Sequence, residues 1–215
     1  MIELNQQEFD YVIVGAGSAG CCVAGRLSED LNTSVCLLEA GGPDDSVFVK
    51  APLGFAATAS LNINSWGYQT VPQAGFNGRK GFQPRGKVMG GSSSVNAMVY
   101  TRGNPLDYDN WSVLGNQGWS YQEVLPYFKK SEHNECFGEN AYRGVNGPVN
   151  VCYLRSPSPL NQAFIQACNE QGIPFNPDYN GAQQFGVSPA QVTQKGGERW
   201  NAARAYLDPH RHQAN

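Results

Sequence analysis

Four residues near the start of this 215-residue chain have types and a spacing that could do chemistry: Gly15, Gly17, Gly20 and, nineteen residues further on, Glu39. None is a reactive centre; their combined use is to hold a ligand. Glycine at position 15 permits a tight turn. At 17 it lets backbone come close to a pyrophosphate, and at 20 it lets a helix pack close to a strand. A helix opening behind the glycines offers unpaired N–H groups and a partial positive charge to phosphate. A carboxylate at Glu39 can accept both hydroxyls of an adenosine ribose, and it disfavours a 2′-phosphate. The chemistry indicated is binding of the ADP half of a dinucleotide, either FAD or NAD.

Such a site needs particular elements around it. Tyr11-Val-Ile-Val14 is a short, β-rich apolar run that suits a strand buried on both faces. The pattern predicts a helix over residues 19–28 and a second strand over 34–38, delivering Glu39 to the strand end. A glycine triplet by itself is weak; between a strand and a helix, with the acid at this distance, it is specific. Residues 40–45 must turn, with Asp44 and Asp45 expected in water. Residues 47–59 read as a surface or lid segment, and 64–73 as an extended arm. Trp66 and Tyr68 there either border a ligand or simply pack.

The second chemical stretch runs from Pro84 to Tyr100 and contains Gly90, Gly91 and the run Ser92, Ser93, Ser94. The two glycines can take positive φ and bring N–H groups against a ligand. The serines are expected to cap a helix over residues 95–100. The same composition also suits an ordinary capping loop.

In combination, the motifs resemble the glucose-methanol-choline (GMC) flavoprotein oxidoreductases. They are DYVIVGAGSAG (10–20), LLEAGG (37–42), GKVMGGSSSVNAMVYTRGNPLDYDNW (86–111), GWSYQEVLPYFKKSE (118–132), GPVNV (147–151), DYNG (178–181) and RWNAARAYL (199–207). The phrasing is nearest to the choline dehydrogenase-like members, and the resemblance runs from residue 10 to about 209. It implies an α/β fold, with a Rossmann-like FAD-binding domain interrupted by the start of an α+β substrate domain. Residues 1–150 would form the FAD-binding region, with a lid or arm over about 44–82. Residues 151–215 would begin the substrate domain.

The resemblance also implies roles residue by residue. Gly15, Gly17, Ser18, Ala19 and Gly20 would hold the ADP part of FAD, and Glu39 the ribose, with Ala40 and Gly41 beside it. Val88, Gly91, Ser92, Asn96, Ala97, Met98 and Val99 would lie against the flavin, largely through backbone. Covalent members carry histidine where this chain has Val95, so the FAD is expected to be non-covalent. The implied reaction oxidises a small alcohol by hydride transfer to flavin N5, with the electron acceptor unspecified. The family's catalytic histidine lies beyond position 215, so the chain is expected to be the N-terminal portion of a larger enzyme or a truncated product, and no catalytic residue is assigned. His133, expected at a helix end, and His210 and His212, in a polar tail, lack the context of a base. Two other readings stand beside this one: an inactive FAD-binding fragment, and a nicotinamide-dependent dehydrogenase, against which residues 86–100 argue.

Composition narrows the remainder. Fifteen Lys and Arg against 18 Asp and Glu give a net charge of −3, which offers no basic surface for nucleic acid. No apolar run could span a bilayer and residues 1–9 are polar, so no integral membrane segment or signal peptide is expected. The location expected is cytoplasmic, with peripheral membrane association left open. The six cysteines show no metal spacing and read as reduced thiols. Frequent glycine (25) and proline (13) point to a loop-rich globular fold. Helices are expected over 121–131 and 159–172, and strand material over 185–193.

Overall fold

The structure, a computed structural model, describes residues 8–215. The absence of a signal peptide expected over residues 1–9 thus falls mostly outside the described residues. The chain forms two compact units. The first runs up to Ala97 and resumes with Arg199–Asn215; the second is Met98–Glu198. The chain therefore leaves the nucleotide-motif unit and returns to it, as expected of an interrupted α/β domain. The boundary expected at 150 falls inside a strand of the second unit.

The first unit opens with β1 (Tyr11–Val14), α1 (Ser18–Leu27) and β2 (Val35–Leu38). The strands are parallel, with Tyr11 opposite Val35 and Val14 opposite Leu38. Gly20 makes the tight packing workable: a Cβ there would meet the Gly15 carbonyl oxygen at 2.0 Å. Gly25, further along α1, does the same for the returning helical turn Ala203–Leu207, since its Cβ would meet the Tyr206 carbonyl oxygen at 2.4 Å. Strand β1 departs from expectation. Instead of being buried on both faces, Val12 and Val14 are 56% and 84% exposed, because β1 and β2 form a two-stranded sheet that no further described strand extends.

Two short helices follow, α2 (Val47–Lys50) and α3 (Gly54–Leu61). The expected arm shrinks to β3 (Tyr68–Gln69), antiparallel to β4 (Phe82–Gln83). Asp44 is also corrected: it is buried, accepting from Asn201 Nδ2 at 2.9 Å, while Asp45 is exposed as expected. The helix expected over 95–100 does not form. The serines lie inside a 3₁₀ turn, Gly91–Ser94, and Val95 and Met98 leave helical backbone at φ −130° and +63°.

In the second unit, β5 (Glu132–Asn134) pairs in parallel with β6 (Val149–Tyr153), which pairs antiparallel with β7 (Gln191–Val192). Helix α4 (Pro105–Val113) starts at a capping box of Asn104 and Asp107, and α5 (Tyr121–Ser131) at Ser120 and Glu123. Helix α6 (Pro159–Glu170) is closed by Gly172 at φ +83°. His133 is in β5, not at a helix end, because the chain turns extended at Glu132; its Nδ1 lies against the Val145 carbonyl.

The core of this unit is ionic. Glu132 and Arg143 are fully buried, and Arg143 Nη1 donates to Glu132 Oε1 at 2.9 Å. Arg102 Nη2 donates to Glu132 Oε2 at 2.6 Å, and Arg143 also pairs with Asp178 through Nε (2.9 Å) and Nη2. Burial alone would lower the Arg143 pKa, but its bonds to Asp178 and the charge of Glu132 outweigh that and raise it.

Candidate functional site

The site is built where three loops of the first unit meet. The turn after β1 needs glycine at 15, whose φ is +95°, a value a side chain would resist. Gly17 is the N-cap of α1 and has no side chain to cap the helix, and the first turn holds no acidic residue. The N–H groups of that turn are thus left for an external acceptor.

The second loop follows β2. Glu39 reaches back across the glycine turn: Oε2 accepts from the Ala16 N–H and Oε1 from the Gly41 N–H, both at 2.8 Å. These bonds lock the carboxylate at the strand end, beside the glycines. Gly41 packs so closely on the third loop that a Cβ would lie 2.2 Å from the Lys87 carbonyl carbon.

The third loop is the glycine-serine turn. Gly90 donates to the Ala16 carbonyl at 2.8 Å, and a Cβ on Gly91 would lie 2.6 Å from the Gly17 Cα. Together the loops enclose an open groove of about 510 Å³ lined by Val14, Gly15, Gly17, Leu38, Glu39, Ala40, Trp66, Gly86 and Gly91.

The expected site residues sort as follows. Gly15, Gly17, Glu39, Ala40 and Gly91 line one groove, and Ser18, Ala19 and Gly20 form the first turn of α1 at its edge. Val88 is buried beneath, its carbonyl accepting from Gly91 at 2.7 Å. The Ser92 hydroxyl braces the loop, accepting from Gly86 N–H at 3.2 Å. Asn96 and Ala97 line a neighbouring cavity of about 210 Å³ with Val95, Phe55 and Phe82. Met98 and Val99 belong to the second unit. There Met98 is buried and its carbonyl accepts from Thr193, while Val99 is exposed.

Sequence reasoning left Trp66 undecided and missed Gly86, Arg199 and Asn201. Trp66 lines the groove, with the Lys87 ammonium 4.7 Å from its ring centre. Arg199 and Asn201 hold the serine turn, and the only signal for them was their place in the RWNAARAYL motif. None of the three histidines lines the groove. All six cysteines are free thiols, and burial pushes Cys21 up to about 11, so it is an inert core residue.

An FAD fits what the groove offers. A Cβ on Gly15 or Gly17 would point into space with nothing within 4 Å, so backbone here can be approached closely. The α1 N-terminus supplies donors for phosphate, Glu39 supplies a fixed carboxylate, and Val14 and Leu38 supply apolar surface.

The family model described as GMC oxidoreductase matches residues 9–215. The chain belongs to the GMC oxidoreductase family. It is 49% identical to an alcohol dehydrogenase [acceptor] of Pseudomonas putida over 93% of its own length and 36% of that protein. It is 46% identical to an oxygen-dependent choline dehydrogenase of Vibrio vulnificus, over 98% of its length and 38% of that protein. Among solved structures, pyridoxine 4-oxidase from Mesorbium loti superposes with a TM-score of 0.89 at 36% identity, covering 96% of this chain and 41% of that one. The chain thus spans about two-fifths of the length of the relatives it matches. FAD is the cofactor of this family, as the sequence implied. Among the described residues, no helix is long and apolar enough to cross a membrane.

Proposed function

We propose that this chain binds FAD non-covalently in the groove between Gly15, Glu39 and Gly91, as the cofactor-binding part of a cytoplasmic enzyme that oxidises the CH–OH group of a small alcohol. The observation that carries the reading is the convergence of the three loops. Two glycine turns and a strand-end carboxylate, far apart in sequence, close on one groove. The resemblance to enzymes named alcohol dehydrogenase and choline dehydrogenase supports the substrate class.

When bound, FAD supplies the hydride acceptor, at N5. The chain's own residues hold it. The N–H groups opening α1 would receive the pyrophosphate, and Gly17 leaves the backbone open to its approach. Glu39 would accept from the ribose hydroxyls while Ala16 and Gly41 keep its carboxylate fixed. On this reading the flavin end would lie along the turn from Gly91 to Ala97, where Val95 would give it no nucleophile for a covalent link. Proton abstraction from the alcohol is assigned to no residue of this chain.

The test is direct. The purified protein should release FAD on denaturation, and anaerobic addition of choline or simple primary alcohols should bleach the oxidised flavin band in the enzyme that contains this chain. A colourless protein that takes up no added FAD would refute the binding reading. FAD uptake without bleaching by any alcohol would refute the substrate class alone.

A further inference from the structure

Arg199 is placed at a cost that packing does not explain. It is 1% exposed, and among the described residues no carboxylate pairs with it; burial alone pushes its pKa down to about 10. Its guanidinium makes three bonds, all to uncharged acceptors. Nε donates to the Val49 carbonyl at 2.9 Å, and Nη1 to the Ser93 carbonyl at 3.0 Å and to Asn96 Oδ1 at 2.9 Å. Nη2 is buried with no partner. A buried cation without a counter-charge is expensive. An unsatisfied buried donor adds to that cost.

The neighbours show what the arrangement serves. The segment after Arg199 clamps the same turn from behind. Asn201 Nδ2 donates to Ser94 Oγ at 2.8 Å, and the Ala202 N–H donates to Ser93 Oγ at 2.9 Å. The Ser93 carbonyl, Ser93 Oγ and Ser94 Oγ that receive these donors all belong to the turn whose first residue, Gly91, lines the groove. Arg199 also takes the carbonyl end of the Asn96 amide, which fixes the amide orientation and turns its nitrogen away from the arginine.

Resting on the FAD reading of the groove, we propose that Arg199 is a positioning residue for the flavin. It holds the Gly91–Asn96 turn and the Asn96 amide in register, and it lends this loop an uncompensated positive charge that favours negative charge on the flavin ring. The cost of burying it is offset only when an electron-rich ring lies against the loop.

The readout is sulfite, which adds to N5 of an oxidised flavin and leaves negative charge on the ring. It is titrated into FAD-loaded wild type, Arg199→Met, Arg199→Lys and Asn96→Ala. In Arg199→Met the sulfite dissociation constant should rise about tenfold or more. Arg199→Lys, which keeps the charge, should recover most of that loss, and FAD itself should bind more weakly in all three. The effects of Arg199→Met and Asn96→Ala should combine less than multiplicatively, because one acts partly through the other. Sulfite affinity in folded Arg199→Met within about twofold of wild type would overturn the proposal. If that variant does not fold, sulfite affinity in Asn96→Ala that is unchanged from wild type overturns it instead. Failure of the FAD reading is separately visible, as wild type that takes up no flavin.

Discussion

Two buried arginines, one in each unit, are built in opposite ways. Arg143 in the second unit is surrounded by opposite charge: Glu132 and Asp178 face it, and Gln191 Oε1 accepts from it at 2.8 Å. Arg199 in the first unit meets two carbonyls and an amide oxygen, and one of its nitrogens meets nothing. Burial depresses Arg199, whereas the two carboxylates hold Arg143 above its ordinary value against the same effect. A compensated charge, satisfied at each end, is what a structural core needs. An uncompensated one marks a site where another group completes the electrostatics.

That contrast can be broken most forcefully at Arg143. Arg143→Met leaves the buried Glu132 with Arg102 as its one remaining cation and the half-buried Asp178 with none, and should cost about 3–5 kcal/mol of stability by urea denaturation, leaving no role for cofactor in the loss. A cost below about 1 kcal/mol would mean that the ionic core is dispensable. Arg199→Met removes an unpaired cation and three neutral acceptors' donors at once, so its cost without FAD should be only about 1–2 kcal/mol. If the two variants were equally destabilising without cofactor, the distinction between them would collapse.

A smaller effect sharpens the same comparison through pH. Burial would raise the Asp178 pKa, but its bonds to Arg143 and Gln191 hold it below the ordinary 3.8. A carboxylate with a depressed folded pKa contributes stability that is present above its unfolded value and lost as pH falls through the folded one. Stability should therefore be flat near neutrality and start to fall as the pH drops below about 4. In Asp178→Asn this part of the acid slope should be absent. An identical acid profile for wild type and variant would remove Asp178 from the account.

The two regions also differ in how much of them could be read from sequence. The groove was largely legible because its determinants are local. Gly15 is dictated by a backbone angle, Gly20 by contact with the turn five residues back, and Glu39 by the length of one strand–helix–strand unit. The helices over 121–131 and 159–170 followed from caps and a closing glycine in the same way. What failed was long-range. Asp44 looked like a solvated turn residue because its partner, Asn201, lies 157 positions away. The serines looked like helix caps, yet Ser93 and Ser94 receive donors from Ala202 and Asn201. Strand β1 looked doubly buried because its composition suits a central strand, while the described residues supply one neighbour. The ionic core gave no signal at all, since Arg102, Glu132, Arg143 and Asp178 look like surface residues until the chain brings them together.

The most direct test of the central claim is calorimetric titration of FAD into wild type and Glu39→Ala. The carboxylate is held 2.8 Å from two backbone donors, so the variant alters the ribose contact at a fixed point in the groove. Wild type should bind one FAD per chain, and Glu39→Ala should bind it more weakly by roughly 1.5–3 kcal/mol, with circular dichroism unchanged. FAD affinity that is the same in both proteins would contradict the assignment of this groove.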